Sequence, residues 1–256
     1  MNTKRGILFV ACGEKYVEEA KTAIASCRAH LSAYPIALVT DSKNVPTGLV
    51  DLIIPLEKPE KSFAVKIQPL INTPFEETLF LDTDVLVCEP CDEIFAPLER
   101  YDLAIAHDPY RTSYKIETLP VSIPMPNTGV IVYKRTEGVL RMFRRWEERH
   151  RTHFGKYHGN DQPAFREVMF ESDIRHFILP PEYNLRTFFP SMIGGHLDVK
   201  IIHEHTPYLH AIARTLKRAH GAGAPTIYGR LKPALVWFYY FTKVRRVLNR
   251  WFTKRP

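Results

Sequence analysis

Two carboxylates stand one residue apart in the stretch Leu79-Phe-Leu-Asp82-Thr83-Asp84. The residues before them, 78–81, read as a buried strand, and residues 85–87 after them as another. In an extended chain, residues i and i+2 project to the same side. Two oxygen ligands offered together at the carboxyl end of a strand suit Mg²⁺ or Mn²⁺, which keep open positions for phosphate oxygens. An Asp-x-Asp pair is common, and its plain alternative is a solvated turn at a strand end. The apolar residues on both sides weigh against that, because unpaired carboxylates are costly to bury. A third group comes from Ile201-Ile-His203, which ends another short apolar strand in an imidazole. An imidazole beside two carboxylates favours Mn²⁺ over Mg²⁺. A lone histidine is otherwise more often a hydrogen-bonded structural residue.

The elements that must position these groups alternate along the first half of the chain. Gly6-Ile-Leu-Phe-Val-Ala11 is a short continuous apolar run, expected as a buried strand. Val17, Ala20, Ile24, Cys27 and Leu31 then recur at helical spacing. Strands are expected at 36–40 and 52–54, with a helix around 63–71 between Pro59 and Pro74. Such alternation predicts an α/β fold with a mostly parallel central sheet covered on both faces. After a strand at 103–106, residues 107–126 are rich in Pro, Tyr and polar groups and read as a long loop of the kind that often carries function. A strand at 130–133 follows, then a helix burying Val139, Met142, Phe143 and Trp146, with Arg141, Arg144, Arg145, Glu148 and Arg149 on a solvated outer face. Another helix is expected to start near Asp161, and the stretch 220–229 reads as a linker.

Charge is unevenly spread along the 256 residues. Eleven of the 35 Lys and Arg residues lie from Arg214 onward, where there is no Asp or Glu, so the net +7 belongs to the tail and the body carries net −4. A mildly acidic body argues against nucleic acid as a partner; a basic tail points to an anionic surface. Cys88-Glu-Pro-Cys91 is a lone CxxC without a second pair, and Cys12 and Cys27 sit in apolar segments as buried free thiols. No stretch reaches the length of a transmembrane helix or a signal-peptide core, so the expected location is cytoplasmic.

Five landmarks occur in order: Phe9-Val-Ala-Cys-Gly13, Leu81-Asp-Thr-Asp-Val85, Pro126-Asn-Thr-Gly-Val130, Asn160-Asp-Gln162 and Ile201-Ile-His203. None is specific alone. Together they resemble the GT-A glycosyltransferases, nearest to family 8, which includes glycogenin and bacterial lipopolysaccharide galactosyltransferases. The resemblance spans roughly residues 5–205. It implies a GT-A fold and transfer of a sugar from a nucleotide diphosphate sugar, UDP-sugar favoured, to a glycan or glycolipid hydroxyl with retention. It also implies roles for named positions. Asp82, Asp84 and His203 would hold the Mn²⁺ or Mg²⁺ that bridges the donor diphosphate, with Thr83 between the acids at the donor. Val10, Ala11 and Cys12 would line the uridine pocket and Tyr16 would stack on the base. Asn127 and Gly129 would face the donor sugar, against the alternative of a turn entering the following strand. Asp161 and Gln162 would lie beside the transferred sugar or the acceptor, against the alternative of a helix cap. Lys66 would be a basic residue near the donor, against a snorkelling surface lysine. Leu179-Pro-Pro-Glu-Tyr-Asn184 also matches the family's texture, without an assigned role.

The chain departs from the pattern after His203. Family 8 enzymes commonly continue with a Gly and a phosphate-binding Lys before Pro-Trp. This chain runs His203-Glu-His-Thr-Pro-Tyr-Leu-His210, which leaves Arg214, Lys217 and Arg218 as stand-ins for the missing cation. An inverting enzyme would instead need a carboxylate base, for which Asp161 and Asp108 are the candidates.

These expectations divide the chain into a nucleotide-sugar-binding catalytic domain, 1–205, and a basic, aromatic helical extension, 206–256. In the extension Trp237, Phe241, Val244, Leu248 and Trp251 share a helical face among arginines, as an interfacial helix on anionic lipid requires. The protein is then peripheral on a cytoplasmic membrane face. The rival expectations are a non-catalytic nucleotide-sugar-binding scaffold at a membrane and a sugar-nucleotide pyrophosphorylase. The latter normally opens with a Gly-rich phosphate loop that Gly13-Glu-Lys-Tyr16 does not provide.

Overall fold

The computed structural model describes residues 4–228 apart from 57–61, 109–115, 118, 154, 188–190, 194–197 and 222–225. Its first half follows the alternating pattern: β1 (Arg5–Ala11), α1 (Glu14–His30), β2 (Ile36–Thr40), β3 (Leu52–Pro55), a 3-10 turn (Phe63–Lys66) running into α2 (Ile67–Ile71), and β4 (Glu77–Leu81). β1 pairs in parallel with β2 on one side and with β4 on the other, and β2 with β3. β2 and β4 are buried along their whole length, which accounts for their unbroken apolar runs.

The second half adds β5 (Val85–Val87), a 3-10 segment (Asp92–Glu99), β6 (Leu103–His107), β7 (Pro126–Lys134), α3 (Glu137–His153), α4 (Gln162–Phe170) and β8 (His176–Leu179). The central sheet has seven strands in the order β3-β2-β1-β4-β7-β6-β8. β7 alone runs antiparallel to its neighbours β4 and β6, so the sheet is mostly parallel, as the alternation predicts. β7 starts at Pro126, four residues before the expected strand. The Asn127-Thr-Gly129 landmark therefore lies within a strand and is not the turn entering one.

Side-chain alternation divides the core between the two faces of the sheet. Ile7, Phe9, Ala11 and Leu81 pack with Val17, Ile24 and Cys27 of α1. Leu8, Val10, Phe80 and Ile131 pack with Ile67 and Leu70 of α2, Trp146 of α3 and Phe165 of α4. The outer face of α3 is laced with ion pairs rather than bare: Arg144 bonds Glu137, and Arg145 and Arg149 both reach Glu171 at the end of α4.

β5 is not part of the central sheet. It pairs antiparallel with β10 (Ile201–His203), with Val85 opposite His203, after a short 3-10 turn (Pro181–Tyr183) and β9 (Ser191–Ile193). α5 (Leu209–Gly221) packs Leu209 and Leu216 against Leu86, Leu185 and Ile202 of this small unit. The linker expected at 220–229 needs correction: α5 runs to Gly221, and β11 (Thr226–Tyr228) pairs antiparallel with β9. The aromatic, basic segment from 229 to 256 lies outside the described residues. Among the described residues no helix is long and apolar enough to cross a membrane. No disulfide joins the four cysteines, and Cys12 is half-buried rather than buried.

The contact between β1 and the turn before β4 gives a test of this packing. A Cβ at Gly6 would lie 2.4 Å from Cε1 of the fully buried Phe75 ring. Gly6→Ala is expected to cost about 1–3 kcal/mol through overpacking, seen as a lower denaturant midpoint at unchanged slope. Gly48→Ala, with nothing within 4 Å of the added Cβ, is the control and should shift stability by less than about 0.5 kcal/mol.

Candidate active site

The carboxyl ends of β1 and β4 open onto a cleft, where open α/β sheets place their ligands. Two hollows adjoin there, of about 720 Å³ and about 420 Å³, and Asp82 and Asp84 border both. Asp82 follows the last residue of β4, its amide donating to the Gly129 carbonyl at 2.9 Å and so continuing the β4–β7 ladder. Asp84 precedes β5, and its carbonyl accepts the amide of Glu204, the residue after β10, at 2.9 Å. The sheet and the small β5–β10 unit thus hold the two ends of the Asp82-Thr-Asp84 turn.

That β5–β10 pairing also delivers His203. One ligand atom each from Asp82, Asp84 and His203 lies within 4.8 Å of the others. His203 Nε2 is 3.2 Å from Asp84 Oδ1 and 3.8 Å from Asp82 Oδ2. Two carboxylates and an imidazole converging at this range repel one another unless positive charge stands among them. The donor set, two hard oxygens and one imidazole nitrogen, fits a divalent cation. Burial pushes the Asp82 carboxyl up, against the attraction of Lys66 and His203, and the nearby Asp84 and Asp161 charges add to the rise. Desolvation acts on Asp84 too, but His203, His205 and Arg186 outweigh it and hold that carboxyl well below the usual range.

The ring of His203 is set by a chain of amides. Its Nδ1 lies 2.9 Å from Asn184 Oδ1. Asn184 Nδ2 donates to Asn127 Oδ1 at 3.1 Å, and Asn127 Nδ2 donates to Asp108 Oδ2 at 2.9 Å. An ionised carboxylate only accepts, so the direction of the chain is fixed at Asp108, and His203 must donate from Nδ1. Nε2 is then the atom that faces Asp82 and Asp84, as a metal-binding imidazole requires. Gly129 in β7 lies directly beneath the ring: a Cβ there would fall 2.0 Å from His203 Cε1. Only glycine permits this approach.

Lys66 is buried, not a snorkelling surface residue. Its ammonium sits 3.3 Å from Asp82 Oδ1, 3.4 Å from Asp161 Oδ2 and 3.2 Å from the Thr128 carbonyl. Burial alone would lower its pKa, but Asp161 and Asp82 outweigh it and the net shift is upward. Asp161 also accepts the Thr128 hydroxyl at 2.7 Å, and its carbonyl accepts the indole N–H of Trp146 at 2.9 Å. It makes no side-chain cap for α4. Asn160 caps instead, accepting the Gln162 amide at 2.9 Å, so capping and a cleft position fall to two adjacent residues. Gln162 borders the larger hollow with Asn127 and Gly129.

The smaller hollow is bordered by Val10, Cys12, Tyr16 and Thr83. Tyr16 is exposed, and Lys15 Nζ lies 5.4 Å from its ring centroid. Ala11 departs from expectation: by strand alternation its side chain turns to the face opposite Val10, into the core with α1. Glu19 of α1 ties the rim together, accepting the Thr83 hydroxyl at 2.7 Å and contacting His205 Nδ1 at 2.9 Å.

The cations proposed from sequence for the position after His203 are not brought here. Lys217 pairs with Glu89 at 2.7 Å, Arg214 is exposed on α5, and neither is among the described residues bordering these two hollows. The side chain of Arg218 lies outside the described residues. Polar residues in or beside the cleft that carried no sequence assignment include Thr128, His158, Arg186 and His205, and Asn184 behind His203. The texture around Leu179–Asn184 was the one available signal for Asn184.

A model of the family described as nucleotide-diphospho-sugar transferase matches residues 77–209, about half the chain. Among solved structures, the galactosyltransferase LgtC, in complex with donor and acceptor sugar analogues, superposes with a TM-score of 0.57 at 14% identity, over 85% of this chain and 95% of its own. The glycosyltransferase GlyE of Streptococcus pneumoniae TIGR4 superposes with a TM-score of 0.57 at 14% identity, over 95% of this chain and 64% of its own. No curated protein matches the chain by sequence. Likeness at that identity establishes the shared fold, and the family match, centred on the segment from β4 to just past β10, supplies the rest. The chain belongs to the nucleotide-diphospho-sugar transferase family and adopts the GT-A fold, with a likeness to family 8.

Proposed function

We propose that the chain moves a sugar from a nucleotide diphosphate sugar, UDP-sugar foremost, to a hydroxyl of a cell-envelope glycolipid or glycan, and that Asp82, Asp84 and His203 hold the Mn²⁺ or Mg²⁺ on which turnover depends. The observation that carries this is the convergence of those three groups within 4.8 Å at the junction of two hollows. The smaller hollow, bordered by Val10, Cys12 and the exposed Tyr16 ring, suits the nucleoside. The larger one, with hydrogen-bonding Asn127, Asp161 and Gln162, suits the sugar and the acceptor. A divalent cation bound between them would neutralise the charge that grows on the diphosphate as the sugar–phosphate bond breaks.

The chain's own groups then orient and exclude. Asn127, held through both ends of its amide by Asp108 and Asn184, presents a fixed polar edge to the donor sugar. Lys66 balances Asp82 and Asp161, so that the acids stay close together without the divalent charge. Both candidate bases for an inverting reaction are committed: Asp161 to Lys66 and Thr128, Asp108 to Asn127. This favours the retaining course, in which the hydroxyl attacks on the face the diphosphate leaves and a leaving-group oxygen takes its proton. The body to residue 205 is the catalytic unit in this account, and residues 206–256 form an extension whose basic, aromatic end meets anionic lipid.

Three outcomes are expected. Asp84→Ala should abolish Mn²⁺-dependent hydrolysis of UDP-sugars while leaving the far-ultraviolet circular dichroism unchanged; wild-type turnover in that variant would reject the metal assignment. Gly129→Ala should displace the His203 ring and weaken Mn²⁺ binding at least tenfold, read by titration calorimetry of the protein without donor. Removing residues 231–256 should release the protein from anionic vesicles without changing donor hydrolysis, and unchanged sedimentation with the vesicles would refute the lipid contact.

A further inference from the structure

A donor diphosphate entering this cleft meets mostly negative charge. Asp82, Asp84, Asp108 and Asp161 all border the larger hollow, and the two permanent cations among its described residues are Lys66 and Arg186. Lys66 is drawn inward between Asp82 and Asp161. A divalent cation at Asp82 and Asp84 brings the sum of these charges close to zero, which still leaves an incoming diphosphate unmatched. Of the described cations that follow β10, Lys217 pairs with Glu89 and Arg214 is exposed on α5.

We propose that Arg186 is the residue that grips the β-phosphate of the donor and of the departing nucleoside diphosphate; the assignment rests on the proposed function above. Its place is set by backbone geometry. Leu185 donates its amide to the Ile201 carbonyl and accepts the His203 amide, both at 2.9 Å, so the chain leaves Leu185 alongside β10 with Arg186 next to Glu204. Glu204 Oε1 stands 3.7 Å from Arg186 Nη2, and the Arg186 side chain is 20% exposed, the pose of a partly sheltered cation at a rim. Arg186 borders the larger hollow and not the smaller one. A nucleoside seated in the smaller hollow therefore presents its distal phosphate, beyond Asp84, toward the guanidinium. A planar guanidinium with five donors matches phosphate oxygens in pairs. It would serve the chemistry twice: by holding the diphosphate against four carboxylates before reaction, and by stabilising the negative charge left on it when the sugar departs.

The test compares UDP with UMP, by titration calorimetry, on the full chain in EDTA and again in Mn²⁺. In both conditions Arg186→Ala is expected to weaken UDP binding about ten- to a hundredfold while UMP binding stays within about twofold, because UMP carries no distal phosphate. Arg186→Lys should recover part of the loss, and Glu204→Gln should leave UDP binding near wild type, which separates phosphate contact from the rim ion pair. Equal UDP affinity in wild type and Arg186→Ala overturns the assignment, and so does an equal loss for UDP and UMP. Should Arg186→Ala fail to fold by thermal melt, Arg186→Gln carries the same comparison under the same criteria. If the wild type binds none of UDP, GDP, ADP or CDP, the proposed function falls and the inference with it. Binding of any of them with no change in the variant sinks the inference alone.

Discussion

Three carboxylates, an ammonium and an imidazole share one end of the sheet, and their mutual electrostatics constrain everything around them. Asp82, Asp84 and Asp161 come from the end of β4, the turn before β5 and the start of α4. Bringing ionised groups out of water costs several kcal/mol each unless they are compensated. Lys66 compensates Asp82 and Asp161, and Asp84 faces the His203 and His205 rings. Each compensating group depends in turn on a distant piece of backbone. Lys66 is carried by the turn leading into α2, and His203 by the β5–β10 pairing. The Gly129 Cα must lie close under the imidazole, so β7 can carry no side chain there.

The hydrophobic architecture answers to that constraint. Beyond the Arg5–Glu77 pair at their amino ends, β1, β2 and β4 are mostly apolar and buried, and their carboxyl ends open onto the cleft. Trp146, wholly buried between α3 and the sheet, spends its only polar atom on the Asp161 carbonyl and so joins the second core layer to the cleft. The small β5–β10 unit has its own apolar support, with Leu209 and Leu216 of α5 against Leu86 and Ile202. This packing places part of the segment beyond residue 205 in a supporting role for the strand that bears His203.

Much of this was legible in the sequence, for identifiable reasons. Strand cores are contiguous, so residues 36–40 and 85–87 could be bounded to the residue. The acids at 82 and 84 announced themselves by interrupting apolar runs, and His203 by ending one. Contacts over long separations were less visible. Asn184 bonds His203 and Asn127, which are 19 and 57 residues away, and no local pattern encodes an amide relay. Arg186 and His205 lie in irregular chain, where periodicity gives no side-chain direction. The Asn127-Thr-Gly129 segment was ambiguous because a strand that begins with Pro and contains Gly carries the same residues as a turn. The family resemblance put Ala11 in the uridine pocket with Val10 and Cys12, and strand alternation turns its side chain into the core instead.

The family match and the shared GT-A fold make this a nucleotide-diphospho-sugar transferase. The place where a divalent cation binds decides the role of Asp82, Asp84 and His203. Anomalous diffraction at the manganese edge, from crystals grown with Mn²⁺ and UDP, tests it directly. A single strong peak within bonding distance of carboxylate oxygens of Asp82 and Asp84 and of His203 Nε2 is the predicted result. A peak bound by other residues, or none at this cleft with UDP in place, would contradict it.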